Sequence, residues 1–329
     1  MIATRKGGFP NLGCPSQMVP AMKAGDQEGI MTDELFTQII TPTTHDLGGF
    51  KVHRTLPSKP RTMVGPFIFF DQMGPARLTV GTGIDVRPHP HINLATVTYL
   101  YAGAIDHRDS LGTFATIEPG AVNLMTAGSG IVHSERSPSA EREKGPELSG
   151  IQTWLALPES MEEMNPAFEH VGAADLPIVE DMGARCRVIM GELWGAKAPT
   201  TTYAQTIYAD IELQAGGAVP IDPSADERAI YLAYGDASID GVEMEVATLY
   251  ILRPGITAIL RSGGGGRVAL CGGEDFKTPR HVWWNFVSSS RDRINQAKED
   301  WKAGNFPKVP GDDKEFIPIP EVPKTVSYP

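Results

Sequence analysis

Two stretches of this chain are laid out in the same order. YLYAGAIDHRDSLGTFATIEPGAV (99–122) and YLAYGDASIDGVEMEVATLYILRPGIT (231–257) each place a strand, an acidic turn, a second strand and then an E-P-G or R-P-G turn. Tyr99 and Tyr231 stand 132 positions apart, and Gly120 and Gly255 stand 135 apart. Stacked repeats recur every ~20–50 residues, so this much longer period points to duplication of a whole β-domain.

The 329 residues agree with that reading, being enough for two domains of roughly 100–150 residues each. Abundant Gly and Pro (35 and 27) cut the chain into short runs rather than long helices. FIFF (Phe67–Phe70), ATVTYLYAG (Ala95–Gly103) and ATIEPGAVNLMTAG (Ala115–Gly128) are such runs. The alternation in TVTYLY is that of a half-buried strand. Short strands at this spacing predict a sandwich or barrel.

Two helices are predicted. In PESMEEMNP, Ser160 and Glu163 have capping-box spacing and Pro166 closes the segment. After Ser288–Ser290, the residues Ile294, Ala297 and Trp301 share one face and Gly304 can end the helix. The expected organisation is therefore a loose arm (1–30), a first barrel (31–175), a second (176–287), and an amphipathic helix with an extended Pro-rich tail (288–329).

Charge narrows the function. A net charge of −11, from 29 basic and 40 acidic side chains, argues against direct nucleic-acid binding. No stretch approaches the ~18 apolar residues of a membrane span, and no apolar leader follows Met1, so the expectation is a cytoplasmic protein. Cys14, Cys186 and Cys271 are widely spaced and odd in number, which suggests incidental buried thiols, not disulfides or a zinc–thiolate site.

Ligand-type residues concentrate in two places. PHPH puts His89 and His91 two apart, and GSGIVHSE does the same with His133 and Glu135. Alternate residues on a strand share a face, so each pair points one way. If the two strands are neighbours, three imidazoles and a carboxylate converge, a set suited to a divalent first-row metal with positions left open. Other candidates read as structure. His107-Arg108-Asp109 spells a kinase triplet without the rest of a kinase and reads as a turn with local hydrogen bonds. Gly263–Gly266 lacks the GK[ST] ending of a phosphate loop. Trp283 and Trp284 read as core or seam packing, and Met125 and Phe67 as barrel filling or cavity lining.

These motifs carry a family resemblance. Gly83 with His89-Pro-His91 resembles the first cupin motif, and Gly130-Ile-Val-His133 part of the second. PHPH, TVTYLYAG, DHRDSLG, EPG and MTAGSGIVHSE, in this order, resemble the pirin family, as do GGFKVHRTLP (48–57) and WWNFVSSSRDRINQAKEDW (283–301). The resemblance spans about residues 35–305 and implies an all-β fold of two tandem cupin (double-stranded β-helix, or jelly-roll) barrels. It implies one divalent metal per chain in the first barrel only, Fe(II) before Ni, Cu, Mn or Zn, held by His89, His91, His133 and Glu135.

In the second copy, Val219–Asp222 (VPID) stands for HPH and 267–273 (RVALCGG) for GIVHSE, so that barrel is expected to be metal-free. Where pirins commonly continue HPH as RGFET, this chain has Ile92-Asn-Leu-Ala-Thr96, so Ala95 replaces an acid and the pocket wall is expected to change. Two activities follow from the resemblance. One is a quercetinase-like dioxygenase that opens a flavonol, enol or catechol with O2, with Glu135 as general base. The alternative is an iron-dependent regulator that acts through a protein partner without turnover. The chain is expected to be monomeric.

Overall fold

Alternation on Leu94–Ala102 shows how the chain is sorted. Ala95, Val97 and Tyr99 are buried in one apolar cluster with residues of the C-terminal half, whereas Leu94 belongs to a separate cluster with Phe69, Met125 and Trp154. One face of the strand therefore meets a second barrel and the other lines the interior of the first. The computed structural model describes residues 32–46 and 50–321; the predicted arm, with Cys14, lies outside the described residues.

Each barrel is a seven-stranded sheet facing a four-stranded one, all pairs antiparallel. In the first barrel the large sheet runs 167–171, 122–126, 94–102, 147–156, 67–77, 51–56, 43–46. The small sheet runs 85–91, 131–136, 105–109, 114–117. The second barrel repeats this order. Its large sheet runs 36–40, 249–252, 227–235, 266–273, 206–213, 184–190, 178–181, and its small sheet 218–221, 258–261, 238–239, 242–243. The duplication expected from Tyr99 and Tyr231 is thus present, and the tandem cupin architecture with it.

Strand order corrects the details of that match. The segment 267–273 lies in the strand Gly266–Gly273, which occupies the place of Glu147–Ala156. The counterpart of the His133 strand is Ala258–Arg261. Gly120 precedes the strand Val122–Thr126, whereas Gly255 follows the equivalent strand Leu249–Leu252, so the two P-G turns do not correspond. Both glycines have positive φ (81° and 77°), the demand of a tight turn that made the dipeptides look alike.

The barrels share their ends. Phe36–Ile40, at the start of the described chain, pairs with Leu249–Leu252 and forms an edge of the second barrel's large sheet. From the other end, the hairpin His281–Trp283/Phe286–Ser288 docks on the first barrel through a bridge from Phe286 to Ile92. Polar side chains cross the seam: Tyr99 donates to Asp210 Oδ2 (2.7 Å), which Arg267 also holds (2.6 Å), and Tyr231 donates to Gln72 (2.7 Å). Cys186 and Cys271 are buried free thiols, as expected of them.

The C-terminal helix, Arg291–Ala303, forms as predicted. Ser290 accepts from the Arg293 amide at its N-cap, Gly304 closes it in the left-handed conformation, and Ile294 and Ala297 are buried. The other predicted helix shrinks to one 3-10 turn, Glu159–Met161. Pro158 and Pro166 bracket too few residues for two turns, and Glu163 is drawn off to Asn93 and Arg293 instead of capping. Beyond Phe306 the tail lies along the first barrel: Arg136 grips Asp312, and the Ile317 amide donates to the Pro88 carbonyl. No helix among the described residues is long and apolar enough to cross a membrane.

Candidate metal centre

The small sheet of the first barrel brings PHPH and GIVHSE together. His133 stands opposite His89 in an antiparallel ladder, and His91 stands opposite Ile131. Alternation then turns three imidazoles into the barrel: ring centres are 4.4 Å apart for His89 and His133, and 5.0 Å for His91 with either partner. One nitrogen from each lies within 4.8 Å of the others, and all three residues are buried.

The nitrogens say which atoms face inward. His89 Nδ1–H donates to the Arg87 carbonyl (2.9 Å) and His91 Nδ1–H to the Asn285 carbonyl (3.0 Å). A carbonyl only accepts, so the lone pair of each ring sits on Nε2. His133 has no hydrogen-bond partner at either nitrogen although both are buried. Such orphans are costly unless a bound ion or ligand satisfies them. Burial also lowers the basicity of all three: His89 falls to about 4, and His91 and His133 fall well below the ordinary imidazole value. Three neutral imidazoles, one without any partner, fit a metal ion.

Glu135 lies one strand step beyond His133, after an irregularity in the ladder. Its carboxylate is not within the mutually close set formed by the three histidines; it accepts from Gln152 Nε2 at 2.8 Å. Burial pushes its pKa up, and the Gln152 hydrogen bond offsets this only in part. Gln152 also donates to Thr98, so the acid is held from the facing sheet.

His107 was passed over in the sequence and belongs here. Instead of a turn, His107–Asp109 ends a strand whose His107 is the ladder partner of Glu135. The His107 ring lies 5.4 Å from His133 and stacks on Phe168, and its Nε2–H donates to Asp109 (3.0 Å). Burial opposes the Asp109 charge, but His107 and the amides of Thr113 and Leu111 outweigh it and hold its pKa low. The spacing rule that singled out PHPH applies equally to His107 and Asp109. Asn285 and Gln152 had no signal in the sequence.

Other candidates fall where geometry puts them. Met125 is in the interior cluster with Trp154 and Phe69, whose rings stack at 4.1 Å, and Trp154 meets His91 edge-on at 5.1 Å. Phe67 faces the seam, 5.7 Å from Tyr208. Ala95 also lies in the seam cluster, so the replaced acid does not alter the pocket wall. Ile92 packs with Phe286, Ile294 and Ala297 beneath the C-terminal helix, and Asn93 sits at φ 57°, where Asn substitutes for Gly with little strain. Trp283 and Trp284 pack against that same cluster. Gly263–Gly266 is a turn closed on the Asp236 carboxylate.

In the second barrel the positions of His89, His91 and His133 are taken by Val219, Ile221 and Leu260, with Leu260 opposite Val219. All three are fully buried and apolar. A metal-ready histidine site exists in one barrel only among the described residues.

Fold and site together define a two-barrel cupin whose first barrel carries a histidine site suited to a metal. Residues 49–155 match the pirin family model and 208–307 the pirin C-terminal cupin domain. The chain belongs to the pirin family. A pirin-like protein of Caulobacter vibrioides is 48% identical over 84% of this chain and 96% of its own length. The crystal structure of a quercetin 2,3-dioxygenase from Acinetobacter baumannii superposes with a TM-score of 0.81, at 33% identity, over 89% of this chain and 97% of that one. A second quercetin 2,3-dioxygenase structure from the same organism has a TM-score of 0.77 at 27% identity, over 82% of this chain and 97% of that one.

Proposed function

We propose that this chain is a quercetin 2,3-dioxygenase-like enzyme that opens a flavonol, or a related small enol or catechol, with O2. The observation that carries this reading is the partnerless His133 between two oriented, neutral imidazoles. The likeness to the Acinetobacter baumannii enzymes supports the substrate class. His89, His91 and His133 hold the metal through ring nitrogens, with Glu135 as fourth ligand and Fe(II) as the preferred ion. When bound, the metal supplies Lewis acidity toward a substrate hydroxyl and the redox chemistry for O2.

The remaining steps belong to the protein. Glu135, once it loosens from the metal, takes the substrate hydroxyl proton as general base. Gln152 positions the acid from across the barrel. Phe69, Trp154, Met125 and Phe168 wall the site with apolar surface that keeps bulk water out.

The test is turnover. Protein loaded separately with Fe, Ni, Cu, Mn and Co is incubated with quercetin under O2 while flavonol absorbance and carbon monoxide are followed. Loss of absorbance with CO release, abolished in His89→Ala, is the expected result. No turnover with any of the five metals overturns the proposal.

A further inference from the structure

The orientation of one metal-site histidine depends on a segment 194 positions away. His89 finds its carbonyl two residues upstream and His133 finds none, but His91 donates to Asn285 in the turn of the C-terminal hairpin. That turn is strained: Trp284, just before Asn285, has φ 52°, a region bulky side chains rarely adopt. Strain of this kind persists only where the surroundings hold it.

They do so from both ends of the hairpin through one carboxylate. Glu162, 5% exposed, accepts from Ser288 Oγ (3.0 Å), the Ser289 amide (2.8 Å) and Ser289 Oγ (2.9 Å). On the entry side, Arg280 Nε stands 3.0 Å from Glu162 and Arg280 donates to the Leu157 carbonyl (2.8 Å). Glu162 and Leu157 follow the first barrel's strand Glu147–Ala156, while Ser288 ends the hairpin and Arg280 and Ser289 flank it. Between these ties, Phe286 is fully buried against Ile92, the residue next to His91.

We propose that the hairpin 281–288 is a positioning element of the metal centre, latched by Glu162. It presses the Asn285 carbonyl against His91, keeps the proton on Nδ1, and so keeps Nε2 aimed at the other two imidazoles. Partners of this type, one shell out from the metal, typically govern affinity by about 10–100-fold. Glu162 and Ser289 are positioning residues here; neither touches the reacting atoms. The inference rests on the metal reading of the three histidines.

Two measurements on the full chain test it. Release of Ni(II) or Fe(II) to excess EDTA is timed in wild type, Glu162→Gln and Ser289→Ala, with Leu260→Ala in the second barrel as a control for general destabilisation. The His91 tautomer is read by nitrogen-15 NMR on metal-free protein. The expected outcome is release about tenfold faster in Glu162→Gln, a smaller acceleration in Ser289→Ala, and no change in Leu260→Ala. Metal-free Glu162→Gln shows mixed His91 tautomers where wild type shows one.

Unchanged release in both hairpin variants, or equal acceleration in the control, overturns the proposal. If Glu162→Gln fails to fold, Ser289→Ala carries the test. If wild type takes up no metal, the metal reading fails, and the tautomer measurement still decides whether the hairpin orients His91.

Discussion

His133 stands directly opposite His89 in the first barrel, and Leu260 stands opposite Val219 at the same place in the second. The ladder is common to both; only the side chains decide which barrel is ready for a metal. His133→Leu copies the second barrel's solution and removes two buried, partnerless nitrogens. Metal-free His133→Leu is expected to be more stable than metal-free wild type by about 1–3 kcal/mol in urea unfolding. The same variant is expected to hold no metal by elemental analysis. A less stable metal-free variant would mean that His133 has a partner in the empty site.

Acid tests the neutral imidazoles. His89 has its pKa lowered by burial to about 4. Folding therefore favours its neutral form, and the stability that depends on it is complete above the unfolded value of about 6.5. That stability is lost as pH falls from there toward 4. Glu135 and Asp71, raised by burial, act in the opposite sense, gaining as they take up protons. Comparison with His89→Ala, both proteins metal-free, isolates the imidazole: the stability gap between wild type and variant should shift by a few kcal/mol across this window. A gap that stays constant from pH 7 to 4 would show that His89 takes up its proton as readily in the fold as in the unfolded chain.

The seam gives a prediction independent of the metal. Asp210 is buried and held by Arg267 and Tyr99 from two barrels. Tyr99→Phe removes one hydrogen bond and should cost about 0.5–3 kcal/mol. Arg267→Ala leaves a buried carboxylate without its cation and should cost about 3–5 kcal/mol. Denaturant unfolding of the two variants checks the order; equal losses would refute it.

Ala95 offers a test of what the departure from the pirin pattern means. Its side chain is fully buried in the seam, among Val97, Leu155 and residues of the second barrel. Ala95→Glu should lower stability by several kcal/mol, because a carboxyl is buried without a partner. Metal content per folded chain should stay the same. A variant that folds well but loses its metal would place position 95 at the site after all.

The legible parts of this protein are those where a local rule acts. His89, His91 and His133 could be found because alternate residues on a strand share a face, and that rule survives any rearrangement of the barrel. The C-terminal helix was legible because Ser290, Ile294, Ala297 and Gly304 encode both caps and the buried face. The same logic misled at Ser160–Glu163, where the capping pattern is present but tertiary partners claim the carboxylates. RVALCGG was matched to the wrong strand because apolar β-runs look alike, and only pairing order tells them apart. Glu162, Gln152 and Asn285 act across long separations, and nothing in their neighbourhoods announces it.

The barrels' shared ends set an order of events on the ribosome. The strand Phe36–Ile40 emerges early but has no sheet to join until Leu249–Leu252 has been made. The three histidines are all synthesised by residue 133, yet the carbonyl that fixes His91 arrives only with Asn285. On the proposed latch, a nascent first barrel has one imidazole still free to turn. Durable capture then waits until the hairpin 281–288 has been made, which ties acquisition of the ion to synthesis of the second barrel.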